Sequence, residues 1–196
     1  MSGYETTPVI CFFIETCMHI HTRIRQLIEQ KTTADGVMPP VSQLARETGV
    51  SEQAVIECLA PDIITRVSPS HFRDIMVMLA TWGKVEITIQ NQALDLSILG
   101  SVPLGELTDE GEYRFVYGEQ YPFGGSIRAE LIASIFFLDY SPSARPVIVF
   151  FDYSGTSIFK ISPQKDEQSG WNQEQAEYFT TLRDMVTSSP GCSCCS

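Results

Sequence analysis

Apolar residues along this chain recur first at helical spacing, then at alternate positions, then at helical spacing again. Ile20, Ile24, Leu27 and Ile28 stand at i, i+4, i+7 and i+8, which draws one stripe on a helix from about Cys17 to Lys31. Asp35-Gly36 and Pro39-Pro40 break that helix. A second helix carries Val41, Leu44 and Ala45 as far as Gly49. A third opens at Ser51, whose hydroxyl can cap it while Val50 and Val55 stand at staple spacing. It should stop near Pro61. His71 follows Pro69-Ser70 at the start of a further helix through Leu79.

From Trp82 the period is two. Val85, Ile87 and Ile89 alternate with Glu86, Thr88 and Gln90; Leu94, Leu96 and Ile98 alternate with Asp95 and Ser97; Tyr113, Phe115 and Tyr117 alternate with Arg114 and Val116. Asn91-Gln92 is too short for a helical crossover, so the first two strands form an antiparallel hairpin. More strands are predicted around Ser126 to Leu138, Pro146 to Phe151 and Ser157 to Ile161, the last two joined by the turn Asp152-Tyr153-Ser154-Gly155. The runs Leu131 to Leu138 and Val147 to Phe151 are nearly continuous in apolar residues, as in strands covered on both faces. A last helix from Asn172 sets Ala176, Phe179, Leu182 and Val186 on one face to close over the sheet. The fold class is therefore α+β, with helices at both ends and at least six antiparallel strands between Trp82 and Ile161. Residues 1–61 read as a small helical lid, 62–187 as the sheet domain and 188–196 as a tail.

Composition narrows the functional classes. A chain of 196 residues with 43% apolar content can bury the core of one domain with a small appendage. No apolar run approaches the roughly 20 residues that cross a bilayer. Val9 to Ile14 lacks the basic start and cleavage site of a signal peptide, so the expected location is cytoplasmic. The formal charge of −11 repels polyphosphate backbones and anionic membrane surfaces alike. Val41 to Val55 has the outline of a helix-turn-helix, but the would-be reading helix Ser51 to Leu59 contains Glu52 and Glu57 and no Lys or Arg.

Candidate chemistry is sparse. Cys11, Cys17 and Cys58 lie in apolar or helical contexts that suit buried thiols, whereas Cys192, Cys194 and Cys195 follow Ser188-Ser189-Pro190-Gly191 and could meet a soft metal ion. His19 and His21 are two apart on a helix and point to different faces, and His71 reads as a helix-end residue. There is no phosphate loop, no nucleophile elbow and no histidine in a catalytic signature. The carboxylates of Asp109-Glu110-Gly111-Glu112 and Asp166-Glu167 sit in polar loops and define no acid/base pair. Enzyme activity has no direct support in these residues.

A longer pattern runs from about Ile24 to Leu182. After a helical start ending in Leu59-Ala60-Pro61 come Trp82-Gly83-x-Val85, Pro103-x-Gly105, Gly125-x-Ile127-Arg128, Phe150-Phe151 with Gly155, Phe159-Lys160-Ile161, and Asp166-Glu167 before a Gln-rich closing helix. In order and spacing this resembles the ChuX/HutX family of intracellular haem-utilisation proteins. The resemblance implies a fold similar to half of the larger ChuS/HemS haem-degrading proteins, a homodimer, and haem bound for storage or delivery in the cytosol. It also implies histidines at two positions that are Gln90 and Ser126 here, and a basic residue matched by Arg128.

An amide and an aliphatic hydroxyl are poor iron donors, so Gln90, Ser126 and Arg128 mark a haem site without its imidazoles. Arg128 could pair a propionate, or an ordinary cross-strand partner such as Glu86. Substitute donors are Tyr113, Tyr117, Tyr121, Met76 and Met78. Three readings follow: a haem carrier with other donors, a binder of another tetrapyrrole or apolar ligand, or a non-catalytic interaction domain. Nucleic acid is expected to be no partner. In a mobility-shift titration at low salt the protein should leave duplex DNA unshifted, and sequence-specific retention at submicromolar protein would overturn this expectation.

Overall fold

A computed structural model of the chain describes residues 9–34, 38–91, 93–116, 118–119, 121, 123–140, 145–166 and 170–188, with backbone alone for 9–18. The described residues fall into two compact units that divide between Leu59 and Ala60. The tail Cys192, Cys194 and Cys195, the side chains of Cys11 and Cys17, and Tyr117 lie outside the described residues.

The first unit holds α1 (Val9–Lys31), α2 (Val41–Thr48) and α3 (Glu52–Ile56). Helix α1 begins at Val9, well before the expected Cys17, because the run Val9 to Ile14 belongs to the helix. Ile24, Leu27 and Ile28 pack with Leu44, Ala45, Val50, Val55 and Cys58, while Ile20 lies 40% exposed beyond the end of that contact. Gly49 ends α2 at φ 71°, a left-handed conformation that a side chain would strain, and its N–H donates to the Ala45 carbonyl. The Ser51 hydroxyl accepts from the Ala54 N–H at 3.2 Å, as the capping pattern requires. Lys31 and Glu47 join α1 to α2 by an ion pair.

The second unit contains β1 (Ile64–Val67), α4 (Phe72–Leu79), β2 (Lys84–Gln90), β3 (Asp95–Ser101), β4 (Gly105–Leu107), β5 (Glu112–Phe115), β6 (Ser126–Arg128), β7 (Ser134–Leu138), β8 (Val147–Phe151), β9 (Ser157–Pro163) and α5 (Gln173–Ser188). All pairings are antiparallel. The strands divide into a six-stranded sheet in the order β1-β7-β8-β9-β2-β3 and a three-stranded sheet in the order β4-β5-β6.

Two expectations are corrected here. One strand of the large sheet precedes Trp82: β1 is four residues after a helical segment, too short to display a period. The stretch Ser126 to Leu138 is not one strand, since a 3-10 turn at Ala129–Leu131 separates β6 in the small sheet from β7 in the large one.

Pairing register fixes which side chains share a face. Val85, Ile87, Ile135, Phe137, Ile148, Phe150, Phe159 and Ile161 point to the main core, where Ile75, Met76 and Leu79 of α4 and Phe179, Leu182 and Val186 of α5 meet them. Phe136, Leu138, Val149 and Phe151 point the other way and are also buried, so β7 and β8 are covered on both faces as their composition predicts. The small sheet joins this core through rings: Phe72 stands edge-on to both Phe150 and Tyr113, and Tyr113 to Phe115.

Gln175 is a buried polar residue, and all its amide groups are partnered. Its Nε2 donates to the carbonyls of Trp82 at 2.8 Å and Lys84 at 2.7 Å, and its Oε1 accepts from the Gln164 N–H at 2.7 Å. Replacing it by Ala strands two carbonyls and one N–H, with an expected loss of about 1–3 kcal/mol in unfolding free energy. Gln175→Glu should cost more, because a carboxylate would face two carbonyl oxygens. Urea unfolding of the three proteins checks the order.

Candidate functional site

Strand alternation places Gln90 on the face of β2 opposite the core, together with Glu86 and Thr88. At the hairpin end its Nε2 donates to Asp95 Oδ2 at 3.1 Å. Ser126 and Arg128 flank the inward-facing Ile127 on β6, so they share the outer face of the small sheet, in register with Arg114 and Glu112 respectively. Both are exposed. The structure thus groups Ser126 with Arg128 and sets Gln90 on the other sheet.

Arg128 is held locally. Its Nε donates to Glu130 Oε1 at 2.9 Å, and that contact is one reason the Glu130 carboxyl sits below its ordinary range, after a hydrogen bond from its own backbone N–H. Glu86, considered as a cross-strand partner for Arg128, instead accepts from Arg145 at 2.5 Å and from the Ser97 hydroxyl at 3.3 Å. Arg145 precedes β8 and stands 59 residues from Glu86, a pairing that cross-strand alternation cannot foresee.

The substitute donors separate on burial. Tyr113 is fully buried and its hydroxyl oxygen accepts from the Gly105 N–H at 2.9 Å. The ring lies so close to Gly105 that a Cβ there would fall 2.3 Å from it, which explains the glycine. Burial pushes the Tyr113 phenol up, against the ionised form an iron ligand needs. Met76 is buried in the main core. Tyr121 is half-buried. No group of three or more His, Cys, Asp or Glu among the described residues could hold a metal ion.

Met78 is the exception. The apolar stripe Phe72, Ile75, Met76 and Leu79 turns one side of α4 into the core, and the remaining side borders a groove shared with α5. His71, Arg73, Asp74, Val77, Met78, Met185 and Val186 line this groove, whose volume is about 510 Å³. The imidazole of His71 makes no hydrogen bond and Arg73 no ion pair among the described residues. The sequence reading of His71 as a helix-end residue matches its place as N-cap of α4. Its one distinguishing signal was being the sole histidine beyond the N-terminal helices.

The same architecture is found in solved structures. A protein of Agrobacterium tumefaciens superposes with a TM-score of 0.75 at 20% identity, covering 94% of this chain and 99% of that one. The haem-binding protein ChuX gives a TM-score of 0.69 at 19% identity over 84% and 99%. ChuS, an Escherichia coli haem oxygenase, gives 0.63 at 18% identity over 80% of this chain and 47% of its own. No curated protein matches the chain in sequence.

These neighbours define a class of α+β domains that form either a whole chain or about half of a longer one, as the likeness to half of ChuS/HemS implied. Within that class, the sequence profile of the haem utilisation family ChuX/HutX matches residues 65–182. The chain belongs to the ChuX/HutX family.

The Glu86–Arg145 pair gives this sheet face a pH signature. The hydrogen bond from Arg145 holds the Glu86 carboxyl below its ordinary value, so its contribution is complete above the unfolded-state pKa and is lost as pH falls through the folded one. Thermal melts between about pH 5 and pH 3 should show wild type losing its advantage over Glu86→Gln as the pH falls. Parallel curves for the two proteins would show that the pair contributes nothing measurable.

Proposed function

We propose that this chain is a cytoplasmic haem-binding protein of haem iron utilisation that holds haem for storage or delivery. Family membership over residues 65–182 carries the reading. The fold supports it, being shared with ChuX, which is a haem-binding protein. No helix of the described residues is long and apolar enough to cross a membrane. The Gln90 amide and the Ser126 hydroxyl are poor iron donors, so neither is an axial ligand in this reading.

We further propose a homodimer. Among the described residues β3 pairs with β2 alone, which leaves a free sheet edge carrying the exposed Leu94, Leu96 and Leu99. The helical unit, residues 1–61 in this reading, serves as a structural module; its acidic α3 has no basic group for a phosphate backbone.

The test is a haemin titration of the purified protein followed by absorbance. The expected outcome is a saturable shift of the haem absorption bands at micromolar protein or below. No spectral change at any ratio would end the haem reading and leave the interaction domain.

A further inference from the structure

We propose that the thiols of Cys192, Cys194 and Cys195 bind a zinc ion together with the imidazole of His71, in the groove between α4 and α5. The inference does not depend on the haem reading. Thiolates and neutral imidazoles are the donors zinc takes in closed tetrahedral sites, and three cysteines with one histidine are a recurring set. This chain supplies three cysteines within Cys192-Ser193-Cys194-Cys195. Cys192 and Cys194 are two apart, a spacing that turns both side chains to one side of an extended chain, and Cys195 follows at once. The motif lacks only a fourth donor, which must come from the folded part of the protein.

His71 is that donor. It is half-buried, its imidazole is unengaged among the described residues, and it lines the groove together with Met185 and Val186 of the last turn of α5. Helix α5 ends at Ser188, about 5 Å along the axis from Met185 at the usual helical rise. The segment carrying the thiols therefore leaves the fold at the groove. Cys192 comes four residues after Ser188, a stretch that reaches up to about 14 Å when extended. His19 and His21 belong to α1 in the other compact unit, so His71 is the one histidine of the unit that carries these cysteines. Charge favours a cation here: the chain is at −11, Asp74 adds a carboxylate to the lining, and the last turn of α5 presents its carbonyl end without a basic residue. Arg73 is the opposing cation in the lining, and its long stem lets the guanidinium turn to water. Val77 and Met78 give the imidazole an apolar flank that limits the access of solvent to a bound ion.

Binding exchanges three S–H bonds for three S–Zn bonds, the protons pass to solvent, and no electron is transferred. The experiment titrates the full chain, kept reduced, with Co²⁺ as a coloured stand-in for zinc and then with Zn²⁺ in competition. Wild type should take up one Co²⁺ with a sulfur-to-cobalt charge-transfer absorption and the intense visible bands of a tetrahedral site, and Zn²⁺ should bleach both. Affinity should rise with pH, as proton release requires. The triple variant Cys192→Ser, Cys194→Ser, Cys195→Ser should lose the charge-transfer absorption. His71→Ala should keep that absorption, shift the visible bands and weaken binding by about tenfold or more. His19→Ala should bind as wild type does.

If His71→Ala matches wild type in both spectrum and affinity, the metal sits on the cysteines alone and the groove site is wrong. Cobalt binding that survives the triple variant, or a loss on His19→Ala, would place the ligands elsewhere and likewise overturn it. Reduced wild type that takes up neither Co²⁺ nor Zn²⁺ would end the inference and leave the haem reading untouched.

Discussion

The position of α5 depends on one side-chain amide. Gln175 reaches the carbonyls of Trp82 and Lys84 where β2 begins and the Gln164 N–H just after β9. Leaving them unpaired in a buried place would cost more than the hydrogen bonds themselves return, so the amide specifies where the helix must lie. With Gln175 fixed, Phe179, Leu182 and Val186 follow on the same side of the helix and land on the core, Phe179 with its ring 5.2 Å from that of Phe137. Met185, next to Val186, then falls at the rim where α4 runs past. The groove is thus a by-product of how the core is closed: two helices each commit one face inward and leave their shoulders facing each other.

The sheet explains why the chain needs that closure. Strands β7 and β8 are buried on both faces, and each fully buried Phe or Ile side chain contributes about 1.5–3 kcal/mol relative to exposure. At β2 and β3 the same sheet changes character, since one face carries Val85, Ile87 and Ile89 and the other Glu86, Thr88 and Gln90. Polar residues on that outer face find partners near the hairpin or from the Arg145 segment. Gln90 and Glu86 each have a hydrogen-bond partner within the chain.

Much of this was legible in the sequence, for identifiable reasons. Period two over β2, the Ser51 cap, the Gly49 stop and the Phe179, Leu182 and Val186 stripe of α5 are local signals found as read, whereas β3 leaves Leu94 and Leu96 of its alternation exposed. The continuous apolar runs gave two-sided burial because no solvent-facing position survives in Ser134 to Leu138. What escaped is non-local or too short: β1 is four residues, the split between β6 and β7 is a single 3-10 turn, and the Arg145 partner of Glu86 arrives from a distant segment. The groove escaped for a different reason. His71, Met78 and Met185 are separated by helix geometry and by more than a hundred residues, and their juxtaposition exists only once Gln175 has placed α5.

Charge sets the remaining constraint on a haem site in this protein. Haem brings two propionates to a chain of net charge −11, so the long-range field opposes binding. That field is screened over about 8 Å at physiological salt, whereas a guanidinium in contact with a carboxylate is not. A site must therefore combine a local cation with enough apolar lining and an iron bond to outweigh the distant acids. On the small sheet, Arg128 of β6 and Arg114 of β5 are each countered by a glutamate, Glu130 and Glu112.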